Sequence, residues 1–191
     1  MMKMKIEKGQ YGYRDYHKRI QLCKVALGAA MIIAQLLARN LTDNESARNI
    51  LTVMAVLSVL PTANVASPLL ASWRYRTISA QFYQTAKPYE HKGILLYDLI
   101  LTTKEQIIGA DMIFIHPHGV YLYCPDQKID RSKAEKALND IFAGHRLDRN
   151  VKILNDAKNF IDRLEAIRPM RECEDDGSPE YAAAVLKNLS M

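Results

Sequence analysis

The sequence has little cysteine and none of the short motifs that mark common catalytic sites. Its three cysteines lie far apart and form no CxxC pair, which argues against a disulfide framework and a zinc site and fits a reducing cytoplasm. No P-loop, GxGxxG, GxSxG or HExxH motif is present. Short motifs therefore assign no reaction to this chain.

Charge is absent from one long segment. Residues 50–73 comprise 24 residues without a single Asp, Glu, Lys or Arg, and a helix of about 20 mostly apolar residues spans the hydrocarbon core of a bilayer. Residues 20–38 are also apolar, and their only charge is Lys24, one turn from the start, where its side chain can extend to the interface. The short linker 39–49 makes the two segments antiparallel neighbours, so the sequence predicts a transmembrane helical hairpin.

The basic residues beside the hairpin predict its orientation in the cell membrane. Six Lys or Arg precede the first segment, two lie in the linker, and four follow the second segment within residues 74–92. The positive-inside rule then places both termini in the cytoplasm and the linker outside. We expect five residues at the membrane interface: Lys24, Trp73, Arg74, Tyr75 and Arg76.

The second apolar segment contains three residues that are unusual inside a helix. Pro61, Asn64 and Pro68 predict a kink, which a channel, a ligand site or a plain anchor would each tolerate. The alternative to a membrane location is a soluble protein in which the hairpin is buried. Residues 50–60 lack the polar stripe of a soluble helix, which favours the membrane.

The rest of the chain is polar and divides into four parts. Residues 1–19 are predicted as a basic cytosolic arm and residues 74–92 as a juxtamembrane connector. Residues 93–169 are predicted as a cytosolic α/β or α+β domain, because strand-like and helix-like patterns follow in the order β-β-β-α-β-α. Residues 170–191 are predicted as an acidic linker and a short helix.

That last helix has a clear predicted start at Ser178, as N-cap, followed by Pro179. Its apolar stripe is predicted to consist of Tyr181, Val185 and Leu189. The helix either folds back onto its own domain or binds a partner in a groove.

Two β-rich runs around Gly119 predict an antiparallel hairpin over residues 107–123 at the centre of the sheet. The turn sequence Pro-His-Gly favours a positive φ at Gly119. An exposed turn is the expected place of His116 and His118, and a metal site is the alternative. Cys124 is expected to be a buried structural thiol.

The run DMIFIHPHGVYLY, residues 111–123, resembles the central hairpin of the nuclease-related domain, a member of the PD-(D/E)XK endonuclease superfamily. In that family an Asp heads a strand, a Gly makes the turn eight residues later, and an E-x-K motif lies on the returning strand. The resemblance covers residues 76–165. Here Cys124 and Asp126 stand where the family has Glu and Lys.

The resemblance implies a Mg²⁺-dependent nuclease, whose chemistry needs two carboxylates for the metal and a lysine for the attacking water. Cys124 is a poor Mg²⁺ ligand, and Asp126 has the wrong charge for the lysine role. An enzyme would need a rearranged set consisting of Asp98, Asp111, Asp126 and Lys128. We therefore expect no catalytic residues and no cofactor, with the Mg²⁺-dependent nuclease as the alternative.

Together these patterns favour a membrane-tethered, non-enzymatic adaptor with a cytosolic binding domain. The hairpin implies the lipid bilayer as one partner, and the domain implies a protein as another. Nucleic acid and a second copy of the chain are further partner classes.

Overall fold

The computed structural model describes residues 6–173 and 177–191. The chain divides into two compact units, one formed by residues 15–74 and the other by residues 1–14 with residues 75–191. We call the first the helical unit and the second the sheet unit. The expected α+β class is confirmed, with two long apolar helices followed by a four-stranded mixed sheet and further helices.

The long helices are α1, Tyr13–Leu41, and α2, Glu45–Ser72. Asn44 is the N-cap of α2, because its side chain accepts hydrogen bonds from Ser46 N at 2.9 Å and Ala47 N at 3.4 Å. Helix α1 begins at Tyr13, within the predicted arm of residues 1–19. The apolar pattern marks where a helix becomes hydrophobic, and about two polar turns, residues 13–19, lie before that point.

Within the helical unit, α1 and α2 approach closely at a glycine. A Cβ atom on Gly28 would overlap the side chain of Thr62. Farther along, Gln35 Nε2 and Ser58 Oγ lie 3.3 Å apart. Small residues and polar pairs of this kind are typical of helices that pack together in lipid. Pro61 and Pro68 lie inside α2, which is assigned as one helix throughout.

The sheet consists of β1 (Ile94–Thr102), β2 (Ile107–His116), β3 (Gly119–Tyr123) and β4 (Val151–Leu154), in that spatial order. The first three strands are antiparallel, and β3 and β4 are parallel. The predicted hairpin therefore forms the two central strands. Gly119 has a φ of +149°, as its turn requires.

Helices cover both faces of this sheet. Helix α4, Arg131–Gly144, and helix α6, Ser178–Leu189, pack on one face through residues such as Leu138, Phe142 and Leu186. Helix α3, Ala80–Ala86, and helix α5, Ala157–Ala166, pack on the other face, where Phe160 and Leu164 are fully buried. Two 3-10 helices, Lys87–His91 and Met170–Glu172, follow α3 and α5.

The C-terminal helix differs in detail from its prediction. Gly177, at φ +75°, is the N-cap, and Ser178 is the first helical residue. The cap residue therefore makes no side-chain hydrogen bond to the helix. The buried face consists of Pro179, Ala182, Ala183, Val185 and Leu186, whereas Tyr181 is 48% exposed. The helix thus folds back onto its own unit. Part of the predicted acidic linker, residues 174–176, lies outside the described residues.

Both outer edges of the sheet are covered. Along β1, Tyr97 N donates to Gly9 O at 2.8 Å, and Met191 N donates to Ile100 O at 3.0 Å. Along β4, Val151 N donates to Asn139 Oδ1 and Ile153 N to Glu135 Oε1, both side chains of α4. An added strand would have to displace these contacts to pair with either edge.

Candidate functional site

The three aspartates of the predicted nuclease set occupy different environments. Asp98 lies in β1, 1% exposed and at φ +58°, which is rare for a residue other than glycine. Asp111 lies opposite it in β2, and Asp126 lies in the loop after β3, where its Oδ1 accepts from Lys128 N at 3.0 Å. Lys128 itself is exposed.

A buried arginine pairs with Asp111, and its charge also acts on Asp98. Arg14 is 3% exposed and forms an ion pair with Asp111 through Nη1. Its guanidinium also donates to three carbonyl oxygens, those of Arg76 at 2.9 Å, Leu99 at 2.9 Å and Ala110 at 2.6 Å. A planar guanidinium suits this arrangement because its donors point in fixed directions.

The Asp98 carboxylate binds the two chain segments that flank the helical unit. Its Oδ2 accepts from Gly12 N at 2.7 Å, and its Oδ1 accepts from Ile78 N at 3.1 Å. Arg14 and Asp98 together therefore fix residues 12–14 and residues 76–78 to the sheet. We call Arg14, Asp98 and Asp111 the buried charge cluster.

Burial raises the pKa of both carboxyls in this cluster, and the positive charge of Arg14 opposes that rise. Backbone donors to Asp98 act in the same direction as Arg14. The guanidinium already supplies the cation that Asp111 binds, so a metal ion would have to replace it. Among the described residues, Asp98, Asp111 and Asp126 do not meet as a metal-binding group.

The described part of the chain does bring together one group of three metal-ligating side chains: His116, His118 and Cys173. His116 ends β2 and is 3% exposed, so it does not lie in an exposed turn as expected. His118 is in the turn and exposed, and Cys173 follows the second 3-10 helix and is partly exposed. We call these residues the His-His-Cys cluster.

The His116 ring is held by polar contacts on several sides. Its Nδ1 accepts a hydrogen bond from His118 N at 3.2 Å. Burial lowers the pKa of His116, the neighbouring His118 lowers it further, and a hydrogen bond with the Arg168 backbone acts against both. These contacts orient the ring, and the lowered pKa favours the neutral imidazole, which is the form that metal ligation needs.

Cys124 takes the structural role that the sequence predicts. It is 2% exposed, and burial raises the pKa of its thiol to about 12, with the Asp111 charge adding to the effect. A thiol with that pKa has almost no thiolate at neutral pH, so Cys124 is a poor nucleophile.

The five residues predicted at the membrane interface separate in the structure. Lys24, Trp73, Arg74 and Arg76 are exposed, and Trp73 is 58% exposed. Tyr75 is 7% exposed, and its hydroxyl donates to Ile107 O at 3.2 Å. Its ring also occupies the space above Gly109, so Tyr75 packs within the sheet unit.

A small open cleft lies beside His116, between the β2–β3 turn, the end of α4 and the start of α6. Phe142 and Ala182 give it apolar walls, and Arg146 and Asp148 place both signs of charge at its lining. This mixture favours neither an anion nor a cation.

Sequence patterns do not predict how the buried charge cluster and the His-His-Cys cluster are assembled. Arg14 lies 97 residues before its partner Asp111, and Cys173 lies 57 residues after His116. No spacing rule links residues that far apart. The pair His116 and His118 is the only part of either group that a sequence pattern indicates.

No protein-family model, no curated protein and no solved structure matches this chain.

Proposed function

We propose that this chain is a membrane-tethered, non-enzymatic adaptor. Residues 20–38 and 50–73 cross the cell membrane as a hairpin, with both termini in the cytoplasm. The sheet unit is held at the cytoplasmic surface and binds a partner protein there. The lipid bilayer is the first partner in this proposal, and nucleic acid or a second copy of the chain are alternatives to the protein partner.

The observation that carries the proposal is the uncovered apolar surface of α1 and α2. Both helices are long and apolar enough to cross a membrane, yet none of the most apolar window of α1 is buried, and only 6% of that of α2. Leu27, Val56 and Leu60 are each more than 60% exposed. Apolar surface of this extent needs a cover, and a bilayer supplies one over the full length of both helices.

The soluble alternative requires the chain to bury the hairpin. In that case most of the apolar surface of α1 and α2 would be buried, whereas Leu27 and Leu60 are exposed. The close approach of α1 and α2 at Gly28 and their polar contact at Gln35 also suit helices packed in lipid.

The buried charge cluster favours an adaptor over a nuclease. A nuclease of the expected kind needs open carboxylates that converge on Mg²⁺. Asp111 is instead paired with Arg14, and the Asp98 carboxylate accepts from two backbone amides. These carboxylates support the attachment of residues 12–14 and 76–78 to the sheet.

Cysteine labelling on intact cells tests the topology. The background protein has Cys23→Ala and Cys173→Ala and keeps Cys124, which is buried and unreactive. Single cysteines are introduced at Asp43, in the loop before α2, and at Glu105, in the turn between β1 and β2, because both residues are exposed. Asn44 is left intact because it caps α2.

An impermeant maleimide should label Asp43→Cys on intact cells and Glu105→Cys only after the membrane is opened. The protein should also stay with the membrane fraction after alkaline extraction. Labelling of Glu105→Cys from outside would overturn the orientation. Recovery of the protein in the soluble fraction would overturn the membrane proposal as a whole.

A further inference from the structure

The His-His-Cys cluster has the composition of a transition-metal site. Its three ligand atoms lie within 4.8 Å of one another, and Cys173 Sγ lies 3.8 Å from Nε2 of His116 and 3.8 Å from Nε2 of His118. We propose that His116, His118 and Cys173 bind one Zn²⁺ ion. This site is separate from the buried charge cluster and does not depend on the adaptor role.

The two sulfur–nitrogen separations are close to those of a tetrahedral zinc site. With Zn–S at about 2.3 Å and Zn–N at about 2.0–2.1 Å, a tetrahedral ion holds sulfur and nitrogen about 3.6 Å apart. The observed 3.8 Å separations exceed this by a few tenths of an ångström at most, and small side-chain rotations provide that movement. Three protein ligands leave the fourth position for water.

The ligand types select among metal ions. A thiolate with two imidazoles suits zinc and other borderline or soft ions, whereas Mg²⁺ and Ca²⁺ prefer oxygen ligands. No carboxylate takes part in the three-residue cluster. The site would therefore discriminate against the Mg²⁺ that a nuclease requires.

The segments that bear the ligands are fixed to the sheet unit. His116 belongs to a central strand. Cys173 N donates to Met170 O at 3.0 Å, and Met170 N in turn donates to Lys92 O at 3.0 Å. His118 is exposed, so an ion can enter from solvent. A site with one buried ligand, one exposed ligand and anchored backbone needs little rearrangement to close on a metal.

Binding zinc requires protons to leave. Because His116 Nδ1 accepts from His118 N, the neutral ring carries its proton on Nε2, which faces Cys173. Zinc displaces that proton and the thiol proton, and Nδ1 then takes up the ring proton and loses its 3.2 Å hydrogen bond. The hydrogen bond with His118 N and the one between the ring and the Arg168 backbone are together a small loss against three metal–ligand bonds, so zinc is expected to bind at neutral pH. Because protons compete for the ligands, binding is expected to weaken at acid pH.

Zinc titration of the full-length protein in detergent micelles tests the site. Wild type and the control Cys23→Ser, which removes a thiol outside the cluster, should each bind one Zn²⁺ per chain. Loss of an outer-sphere partner alone weakens metal affinity about 10–100-fold, so Cys173→Ser and His118→Ala, which remove ligands, should weaken it at least that much. Co²⁺ should give a thiolate-to-metal absorption band with wild type that is lost in Cys173→Ser.

His118→Ala keeps the test independent of folding, because the side chain is exposed. Zn²⁺ should raise the thermal midpoint of wild type and leave that of His118→Ala unchanged. The proposal is wrong if wild type binds no stoichiometric Zn²⁺. It is equally wrong if Cys173→Ser and wild type bind Zn²⁺ with the same affinity.

Discussion

Arg14 donates hydrogen bonds to four oxygen atoms: the Asp111 carboxylate and the carbonyls of Arg76, Leu99 and Ala110. Because its side chain is almost fully buried, these contacts replace the water that the charge loses on folding. Removing one partner of a buried ion pair costs about 3–5 kcal/mol, since the other charge stays buried. At the scale of single residues, this cluster is the main buried electrostatic feature of the sheet unit.

Asp98→Asn tests the part of this cluster that holds the flanking segments. Asparagine tolerates the positive φ of this position, so the substitution changes chiefly one carboxylate oxygen into an NH₂ group. That group would face a backbone N–H of Gly12 or Ile78. We expect a loss of about 1–3 kcal/mol in the free energy of unfolding, measured by thermal or denaturant unfolding in detergent.

Asp162→Asn is the matched control, because Asp162 is exposed on α5. It should change the free energy of unfolding by less than about 0.5 kcal/mol. Equal stability of Asp98→Asn and wild type would show that the backbone amides of Gly12 and Ile78 do not depend on this carboxylate.

At the scale of elements, the β2–β3 turn is a place where one residue type is required. Gly119 has φ +149°, and a Cβ atom there would lie 3.0 Å from the backbone oxygen and side chain of Asn150. Gly119→Val should therefore lower the free energy of unfolding by roughly 1–3 kcal/mol, from backbone strain alone. Gly144→Ala is the control, since nothing lies within 4 Å of its Cβ position and its φ is not positive. If both variants unfold at the same temperature, the turn is not constrained in this way.

Helix packing gives a second prediction at this scale. Gly28→Leu should separate α1 from α2, because even a Cβ atom at this position overlaps Thr62. Ala30→Leu is the control, since Ala30 is exposed on the same helix. Distance between labels on the two helices, measured by energy transfer in lipid vesicles, should rise in Gly28→Leu only. An unchanged distance in Gly28→Leu would contradict the close approach.

The sequence predicts best those helices and strands in which apolar residues recur at regular spacing. The predicted order β-β-β-α-β-α is that of β1, β2, β3, α4, β4 and α5. Asp156 caps α5 by accepting hydrogen bonds from Lys158 N and Asn159 N. Strand β1 does not show a strict alternation of buried and exposed residues, because its pattern changes phase. Leu96 faces the core beneath α4 and α6, and so do Leu99 and Leu101, with the change at Asp98.

Strand β2 changes phase at the same level. Ile108 and Ala110 face the same core as Ile113 and Ile115, so the shift falls at Asp111, opposite Asp98. If apolar and polar residues are expected to alternate strictly, each of these strands looks only like a continuous apolar run. The phase change coincides with Asp98 and Asp111. Arg14, which pairs with Asp111, lies far away in the sequence, so no local pattern carries that information.

At the scale of the whole molecule, the closed edges of the sheet limit how a partner can bind. Strand addition needs free N–H and C=O groups along an edge, and both edges are occupied by segments of the chain. A protein partner would therefore bind a helical face or the surface around the β2–β3 turn.

An assay on the whole protein also distinguishes an adaptor from a nuclease. Purified full-length protein with Mg²⁺ should not cleave DNA or RNA, because Asp111 is paired with Arg14 and Asp126 lies apart from it. Gel analysis of both substrates checks this, with Asp126→Asn and Asp111→Asn as paired variants. Cleavage by wild type that Asp111→Asn abolishes would overturn the adaptor proposal.

The joining of distant chain segments at β1 has a consequence for the order of folding. Lys8 Nζ donates to Ser190 O at 2.6 Å, across 182 positions of sequence, and both neighbourhoods lie along the outer side of β1. Contacts between such distant residues form late, because a long loop must close first. During synthesis, the part of the β1 edge around Ile100 and Leu101 therefore stays open until residues 190–191 have emerged. A nascent or C-terminally truncated chain would be the form most exposed to edge-to-edge aggregation.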